Sequence, residues 1–386
     1  MQMSYKEDWP AARERLEAWW AGEIIDRVVI QVTAPREGSA KREGEVVAGT
    51  GSGPAALGVF PVRGVRDRAP SEAELEEHWL DVSRRVEHFS RSAQQTFFGG
   101  EAYPRLCTFF SSDSLAAYLG SRCRFPPQEC PDSIWFLDII EDWDHLPRLE
   151  IDRANKWWQA TLEMTRIAVE DGAGKYFVGH TDIGGVGDVL AHLRGPQNLC
   201  LDLVDHPQEV KQAEARLKEV WFQVYEEQLK FLWPEMEGTD GWLGVWGPGK
   251  TYPIQCDFSA YLSPEMFEEF FLPHVQAQAE WLDNAVYHLD GPNAIQHLDL
   301  LLGVPQIKAI QWVPGAGAPP QREWISLHQR IQAAGKALVV GVEKWEVEQL
   351  VRELSPEGLL LQTQCESEQE ARRLLEDVKK WTRQYH

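Results

Sequence analysis

The feature that most constrains the fold is an alternation of short apolar runs with helical patterns, which is most regular after residue 152. Short runs rich in Val, Ile and Leu are typical of strands that are buried on both faces of a parallel sheet. Eight alternating strand and helix units predict a (β/α)8 TIM barrel of the α/β class, a single domain over residues 1–386. The candidate strands are 28–32, 97–100, 175–179, 242–246, 285–288, 308–312, 337–341 and 358–362.

Three segments are predicted to flank or interrupt this pattern. Residues 1–26 contain an N-terminal helix that begins near Asp8-Trp9-Pro10, since Pro is favoured in the first helical turn. Ser71 and Glu74 fit a capping box at the start of a helix over 71–95. Residues 101–150 are irregular and rich in proline, which indicates an insertion within the barrel after the second strand.

Composition and missing motifs exclude several classes of function. The formal charge of 38 − 60 = −22 argues against nucleic acid and anionic membrane surfaces as partners. A doubly wound open sheet is the alternative fold, but no Gly-x-Gly-x-x-Gly follows the first strand and there is no phosphate-binding loop. No apolar run is long enough to span a bilayer, no signal-peptide pattern is present, and the six cysteines form no C-x-x-C pair. We therefore expect a cytoplasmic protein with reduced thiols.

Polar residues at the ends of the predicted strands are the candidate site. In barrel enzymes the active site lies at the C-terminal ends of the strands, so residues that are distant in sequence converge there. His288 and Asp290 are two positions apart and would face the same side of their strand. The strand-end candidates are His180, Asp182, Trp246, His288, Asp290, Gln311, Trp312, Glu343 and Cys365.

Within this set, His288, Asp290 and Cys365 form a ligand set for a divalent metal, with zinc favoured because it accepts N, O and S ligands. Cys256, in the loop after the fourth strand, is a candidate fourth ligand. The alternatives are that His288 is a core histidine, that Asp290 caps the next helix, and that both cysteines are simply buried.

Several segments resemble the uroporphyrinogen decarboxylase superfamily. Residues 184–210 contain a Leu-Arg-Gly segment, and 262–267, with Phe271-Leu272-Pro273 behind it, is similar to a Ser-Pro-x-x-Phe…Pro segment of that superfamily. His288 followed two residues later by a polar group resembles the His-x-Cys of the corrinoid-linked methyltransferase branch, and Cys365 stands in the place of its late cysteine. The resemblance covers about residues 105–380 and implies a barrel in which zinc activates a thiol for methyl exchange with a corrinoid.

The sequence departs from both branches of that superfamily. The decarboxylases have an Arg-Gln-Ala-Gly-Arg segment after the first strand, where this chain has Val32-Thr33-Ala34-Pro35-Arg36. Without the arginines a multiply anionic tetrapyrrole loses its clamp, which disfavours porphyrinogen decarboxylation. Asp290 replaces a cysteine of the methyltransferase branch, and a carboxylate leaves zinc more Lewis acidic than a thiolate does.

Three functional hypotheses follow. The first is a zinc-dependent methyltransferase that moves a methyl group between a small-molecule donor or acceptor and a corrinoid carried by a partner protein. Its zinc ligands are His288, Asp290, Cys365 and Cys256, its catalytic groups are His180, Asp182, Asp257 and Glu343, and its substrate-binding residues are Trp246, Gln311 and Trp312. The second is a metal-free decarboxylase-like lyase that uses Asp290 or Asp257 for proton transfer. The third is a non-catalytic corrinoid or tetrapyrrole binder that stacks the flat ligand on Trp246 and Trp312.

Overall fold

The chain is a mixed α/β protein. The computed structural model describes residues 3–39, 71–108, 110–125 and 134–385, and these contain eleven β-strands and fourteen α-helices. The strands are β1 (Val29–Pro35), β2 (Thr96–Gly100), β3 (Arg105–Cys107), β4 (Cys123–Arg124), β5 (Trp135–Phe136), β6 (Phe177–Gly179), β7 (Thr251–Gln255), β8 (Asn284–Asp290), β9 (Ile307–Val313), β10 (Ala337–Gly341) and β11 (Leu359–Gln364). The helices are α1 (Trp9–Trp20), α2 (Glu72–Leu80), α3 (Val82–Gln94), α4 (Leu115–Tyr118), α5 (Lys156–Gly172), α6 (Val186–Arg194), α7 (Pro196–Asp205), α8 (Pro207–Met236), α9 (Pro264–Phe270), α10 (Leu272–Trp281), α11 (Leu298–Leu302), α12 (Ile325–Ala333), α13 (Val347–Glu353) and α14 (Glu368–Tyr385).

A seven-stranded sheet forms the centre, in the order β2-β1-β11-β10-β9-β8-β7. Its neighbouring strands are parallel except for β1 and β2, which are antiparallel. A separate parallel pair, β3 and β6, gives a total of eight strands that run in parallel ladders. Among the described residues no backbone ladder joins this pair to the large sheet, so the arrangement is compatible with a barrel but is not closed by hydrogen bonds.

Two of the eight predicted strands are wrong as barrel strands. The segment 97–100 belongs to β2, which pairs antiparallel to β1, and residues 242–246 form no strand. In their places stand β3 and β7. The run at 242–246 is apolar because it is buried, and its backbone is satisfied differently: Gln31 Nε2 donates to Gly244 O and Gln362 Nε2 to Leu243 O, both at 2.9 Å. The side chains of these two interior glutamines thus make hydrogen bonds that a neighbouring strand would otherwise make.

The segment 101–150, predicted as an insertion, contains β3. Because β3 pairs in parallel with β6, the first residues of this segment belong to the parallel strands of the fold. The helix predicted over 71–95 is two helices, α2 and α3, which meet at Asp81. Its capping box is confirmed: the Ser71 side chain accepts from Glu74 N, and Glu74 Oε2 accepts from Ser71 N at 2.8 Å. The N-terminal helix is confirmed as α1.

The core is continuous and rich in tryptophan. Trp9, Trp19, Trp246 and Trp312 are almost completely buried, and the ring of Trp9 packs edge-on against Trp246 at 5.5 Å between centroids. The contact of Trp9 with Trp246 buries a large apolar area between α1 and the segment before β7. No helix in the described part of the chain is both long and apolar enough to cross a lipid bilayer.

Candidate functional site

A cavity of about 540 Å³ lies beside the C-terminal ends of β7 and β8. Four aspartates dominate its polar lining, which also contains His192 and Asn293, and Phe258, Tyr261 and Pro292 supply apolar surface. Among the described residues that line it there is no lysine or arginine. The carboxyl and imidazole side chains of the lining are Asp113, Asp188, His192, Asp257 and Asp290.

Asp257, His288 and Asp290 form a cluster in which one potential ligand atom from each lies within 4.8 Å of the others. His288 and Asp290 are alternate residues of β8, so they share a face, as the sequence predicts. Asp257 begins the 3-10 turn that follows β7, and Gln255 at the end of β7 is in register with His288. Two neighbouring parallel strands therefore deliver the three side chains to one edge of the sheet.

His288 is held in one orientation by its neighbour on β9. Its Nδ1 makes a short hydrogen bond to Gln311 Oε1, and the Trp242 ring packs edge-on against the imidazole at 4.9 Å. With Nδ1 as donor, the Nε2 lone pair is free and lies 4.0 Å from Asp257 Oδ1. Burial lowers the pKa of His288, which favours the neutral, ligand-competent ring.

Asp257 has a partly exposed side chain, but one of its carboxyl oxygens has no hydrogen-bond partner. Its side chain is 42% exposed, yet Oδ1 is buried without a hydrogen-bond partner. Burial, with the charges of Asp113 and Asp290, raises the pKa of Asp257 to about 8. A carboxyl group in this state can accept a cation or hold a proton near neutral pH.

A second pair of carboxyl groups belongs to the same cavity. Asp188 lies in the first turn of α6, where its Oδ1 accepts a hydrogen bond from Phe258 N at 2.7 Å. Burial, together with the charge of Asp257, raises the pKa of Asp188 well above the ordinary value. Asp113 precedes α4 and lies 3.1 Å from Nε2 of His192. Burial opposes protonation of His192, but the hydrogen bond and charge of Asp113 outweigh it and leave the pKa of His192 raised.

Asp182 is buried behind this cavity. One of its carboxyl oxygens has no partner, and burial together with the charges of Asp113 and Asp257 raises its pKa well above the ordinary value. Gly184 lets the chain pass close by: its φ is +91°, and a Cβ there would lie 2.2 Å from Asp113 Oδ1 and 2.7 Å from Asp113 Cα. Only glycine fits this approach, which brings Asp113 to the start of α6.

The other predicted catalytic and substrate-binding residues lie outside the cavity lining. His180 is buried, stacked on Tyr225 at 3.9 Å, and burial lowers its pKa to about 3. Glu343 is exposed after β10. Trp246 and Trp312 are fully buried in the core, and Gln311 meets His288 instead of facing the cavity.

The two predicted cysteine ligands are not part of the cluster. Cys365 lies beyond β11, three strands away from β8, and its charged neighbours are Glu370, Lys344 and Glu366. Cys256 is buried, and its Sγ packs closely against Gly187: a Cβ at that glycine would lie only 2.9 Å from the sulfur.

Sequence reasoning missed Asp113, Asp188 and His192. Asp188 and His192 are four residues apart and lie on one face of α6, a spacing that the sequence shows. Asp113 has a positive φ of 58°, and its loop precedes a helix of only four residues, so the sequence carried no periodic signal for it.

Comparisons with known proteins support the fold. No protein-family model matches the chain, and no curated protein sequence matches it. A solved structure described as a methyltransferase from Methanosarcina mazei superposes with a TM-score of 0.56 at 13% sequence identity. The match covers 96% of this chain and 98% of that one. At this identity the likeness shows a shared fold over the whole chain.

Proposed function

We propose that the chain is a zinc-dependent methyltransferase that moves a methyl group between a small molecule and a corrinoid carried by a partner protein. The observation that carries this proposal is the convergence of Asp257, His288 and Asp290 at the ends of β7 and β8. The shared fold with a methyltransferase supports the class of reaction. The resemblance of His288 and its neighbours to the corrinoid-linked branch supports the partner.

The residues present fit a divalent metal. Asp257 Oδ1 is a buried oxygen without a partner. His288 presents Nε2 as a lone pair when its Nδ1–H donates a hydrogen bond to Gln311 Oε1. Fixing a histidine through its other nitrogen is the usual arrangement around metal ligands. One imidazole and two carboxylates would hold zinc, which supplies Lewis acidity toward a heteroatom of the bound substrate.

The remaining residues have roles that follow from their contacts. Gln311 orients His288, and Trp242 packs against the same ring. Asp188 accepts the backbone N–H of Phe258 and so fixes the turn that carries Asp257. The apolar surfaces of Phe258 and Pro292 reduce the water around the substrate. Cys256 and Cys365 are not required as ligands in this proposal.

Metal content of protein purified without chelator tests the proposal. We expect about one zinc per chain in the wild type and less than ~0.2 in His288→Ala, since a single site loses its central ligand. Cys365→Ala is the matched variant and should keep its zinc. A wild-type content below ~0.2 would overturn the metal-dependent reaction. Loss of zinc in Cys365→Ala would restore that cysteine to the ligand set.

A metal-free lyase is the second candidate, and the raised pKa of Asp257 favours it. A carboxyl group with a pKa of about 8 is partly protonated near neutral pH and can serve as a general acid. In that case chelation leaves the turnover unchanged, whereas Asp257→Asn abolishes it. Loss of turnover on chelation, restored by zinc alone, would exclude this alternative.

A further inference from the structure

The wall of the cavity formed by Asp113 and Asp188 has unsatisfied hydrogen-bonding capacity. Both residues are more than nine-tenths buried, and both line the cavity. Asp113 Oδ1 and Asp188 Oδ2 are each buried without a hydrogen-bond partner. Buried carboxyl groups that are only partly hydrogen-bonded are costly to ionise, so a positive charge in the cavity beside them would stabilise this wall.

The surroundings do not supply that charge. The described lining contains four aspartates and one histidine, and His192 already lies beside the other oxygen of Asp113, Oδ2. With no lysine or arginine in that lining, an anionic substrate would meet four carboxyl groups and one histidine, whose charge Asp113 already pairs. The cavity therefore selects against carboxylates, phosphates and sulfonates and for cations.

The size and the apolar surfaces of the cavity indicate an organic cation. A volume of about 540 Å³ is far larger than a metal ion needs and is in the range of small-molecule pockets. Phe258 and Tyr261 both line it, and their rings pack against each other at 5.9 Å. Aromatic faces beside carboxylates are a recurrent environment for alkylated ammonium groups.

We propose that Asp113 and Asp188 bind the ammonium head of a small alkylated amine, which is the methyl-bearing substrate of this chain. In the transfer the bond between the nitrogen and the methyl carbon would break, and the nitrogen would keep the electron pair and leave as the neutral amine. The reduced corrinoid of the partner protein would supply the electron pair of the new bond to the methyl carbon. The proposal rests on the proposed methyl transfer and names its substrate class. Asp257, His288 and Asp290 keep the metal, and the wall of Asp113 and Asp188 holds the positive charge of the substrate beside it.

Calorimetric titration of zinc-loaded protein with choline tests this, with 3,3-dimethylbutan-1-ol as the uncharged analogue of the same shape. We expect choline to bind with a Kd of about 1 mM or tighter and the alcohol at least ~10-fold more weakly. Asp113→Asn and Asp188→Asn should each weaken choline ~10-fold while the exposed-residue control Asp205→Asn does not. Equal binding of the two ligands, or no choline binding at ~10 mM, overturns the proposal.

Two further measurements separate the possible failures. The comparison of choline with the alcohol uses wild-type protein, so it decides the proposal even if an asparagine variant does not fold. If metal analysis finds two divalent ions per chain in the wild type and one in Asp113→Asn, and choline does not bind, the wall of Asp113 and Asp188 is a second metal site and the ammonium proposal is overturned. A zinc-free wild type that still prefers choline would overturn the metal-dependent reaction and leave the ammonium site intact.

Discussion

Glu214 shows how the interior changes the chemistry of a single residue. It is completely buried on α8, and its Oε2 lies 3.3 Å from Nε2 of His274 on α10. Burial raises the pKa of Glu214 to about 9 and lowers that of His274 to about 4. The pair is therefore neutral near pH 7, with the Glu214 hydroxyl donating to the imidazole, and it is not a salt bridge.

Because the folded state holds the Glu214 proton more tightly than the unfolded state, stability depends on pH with a defined sign. Between the ordinary pKa of 4.5 and the folded value of about 9, the folded protein binds more protons, so the free energy of unfolding falls as the pH rises. The slope from this group is at most about 1.4 kcal/mol per pH unit. We expect Glu214→Gln, which cannot ionise, to remove this slope.

Urea unfolding at several pH values between 5 and 9 measures the effect. Glu214→Gln should be increasingly more stable than the wild type as the pH rises through this range. Glu268→Gln is the control, since Glu268 is exposed on the neighbouring helix α9. If the Glu214→Gln and wild-type profiles stay parallel from pH 5 to 9, the carboxyl group is not protonated in the folded protein.

At the scale of elements, the site depends on how closely the loop before α4 approaches the start of α6. Ser114 N donates to Asp182 O at 3.0 Å, and Gly184 passes against Asp113. An alanine at Gly184 would be strained twice, by its φ of +91° and by collision with backbone and side-chain atoms of Asp113. Gly120 has a similar φ of +103°, but nothing lies within 4 Å of its Cβ position.

This pair of glycines separates backbone strain from crowding. Gly120→Ala should cost about 1 kcal/mol of unfolding free energy, from the unfavourable φ alone. Gly184→Ala should cost at least ~2 kcal/mol more, because a packed neighbour must also move. Denaturant titration of both variants gives the difference. Equal losses would mean that Asp113 gives way without cost and that its position in the cavity is not defined by this contact.

Strand signals in a sequence report burial better than they report pairing. The runs at 285–288, 308–312 and 337–341 are both apolar and paired, and the structure confirms them as β8, β9 and β10. The run at 242–246 has the same composition but is buried as an irregular segment, since glutamine side chains satisfy its carbonyl groups. Composition cannot distinguish the two cases, because the partners of those carbonyls come from β1 and β11.

For the whole molecule, the sequence predicts what is local and periodic. Alternation along β8 was enough to place His288 and Asp290 together, and the structure brings the predicted catalytic residue Asp257 beside them from the turn after β7. Asp113 and Asp188 reach the same cavity from elements that are distant along the chain, and they carry no shared motif. Their convergence depends on the parallel sheet order, which a single sequence does not encode in any short segment.

Arg27 and Glu101 show such a long-range connection between the large sheet and the start of β3. Two hydrogen bonds of 2.7 Å join the guanidinium to the carboxylate, and Glu101 Oε2 also accepts from Ile30 N at 2.9 Å. Glu101 is fully buried and Arg27 nearly so. A buried pair of this geometry is strongly coupled, since removing either partner leaves the other charge in the interior.

A double-mutant cycle of Arg27→Met and Glu101→Gln should measure this coupling by denaturant unfolding. We expect each single variant to lose about 3–5 kcal/mol and the double variant to lose less than the sum by at least ~2 kcal/mol. The exposed pair Arg166 and Glu163, whose side chains are 53% and 48% exposed, is the matched control and should couple by less than ~1 kcal/mol. Losses at Arg27 and Glu101 that add within ~0.5 kcal/mol would show that Arg15, 3.8 Å from Glu101, compensates its charge instead.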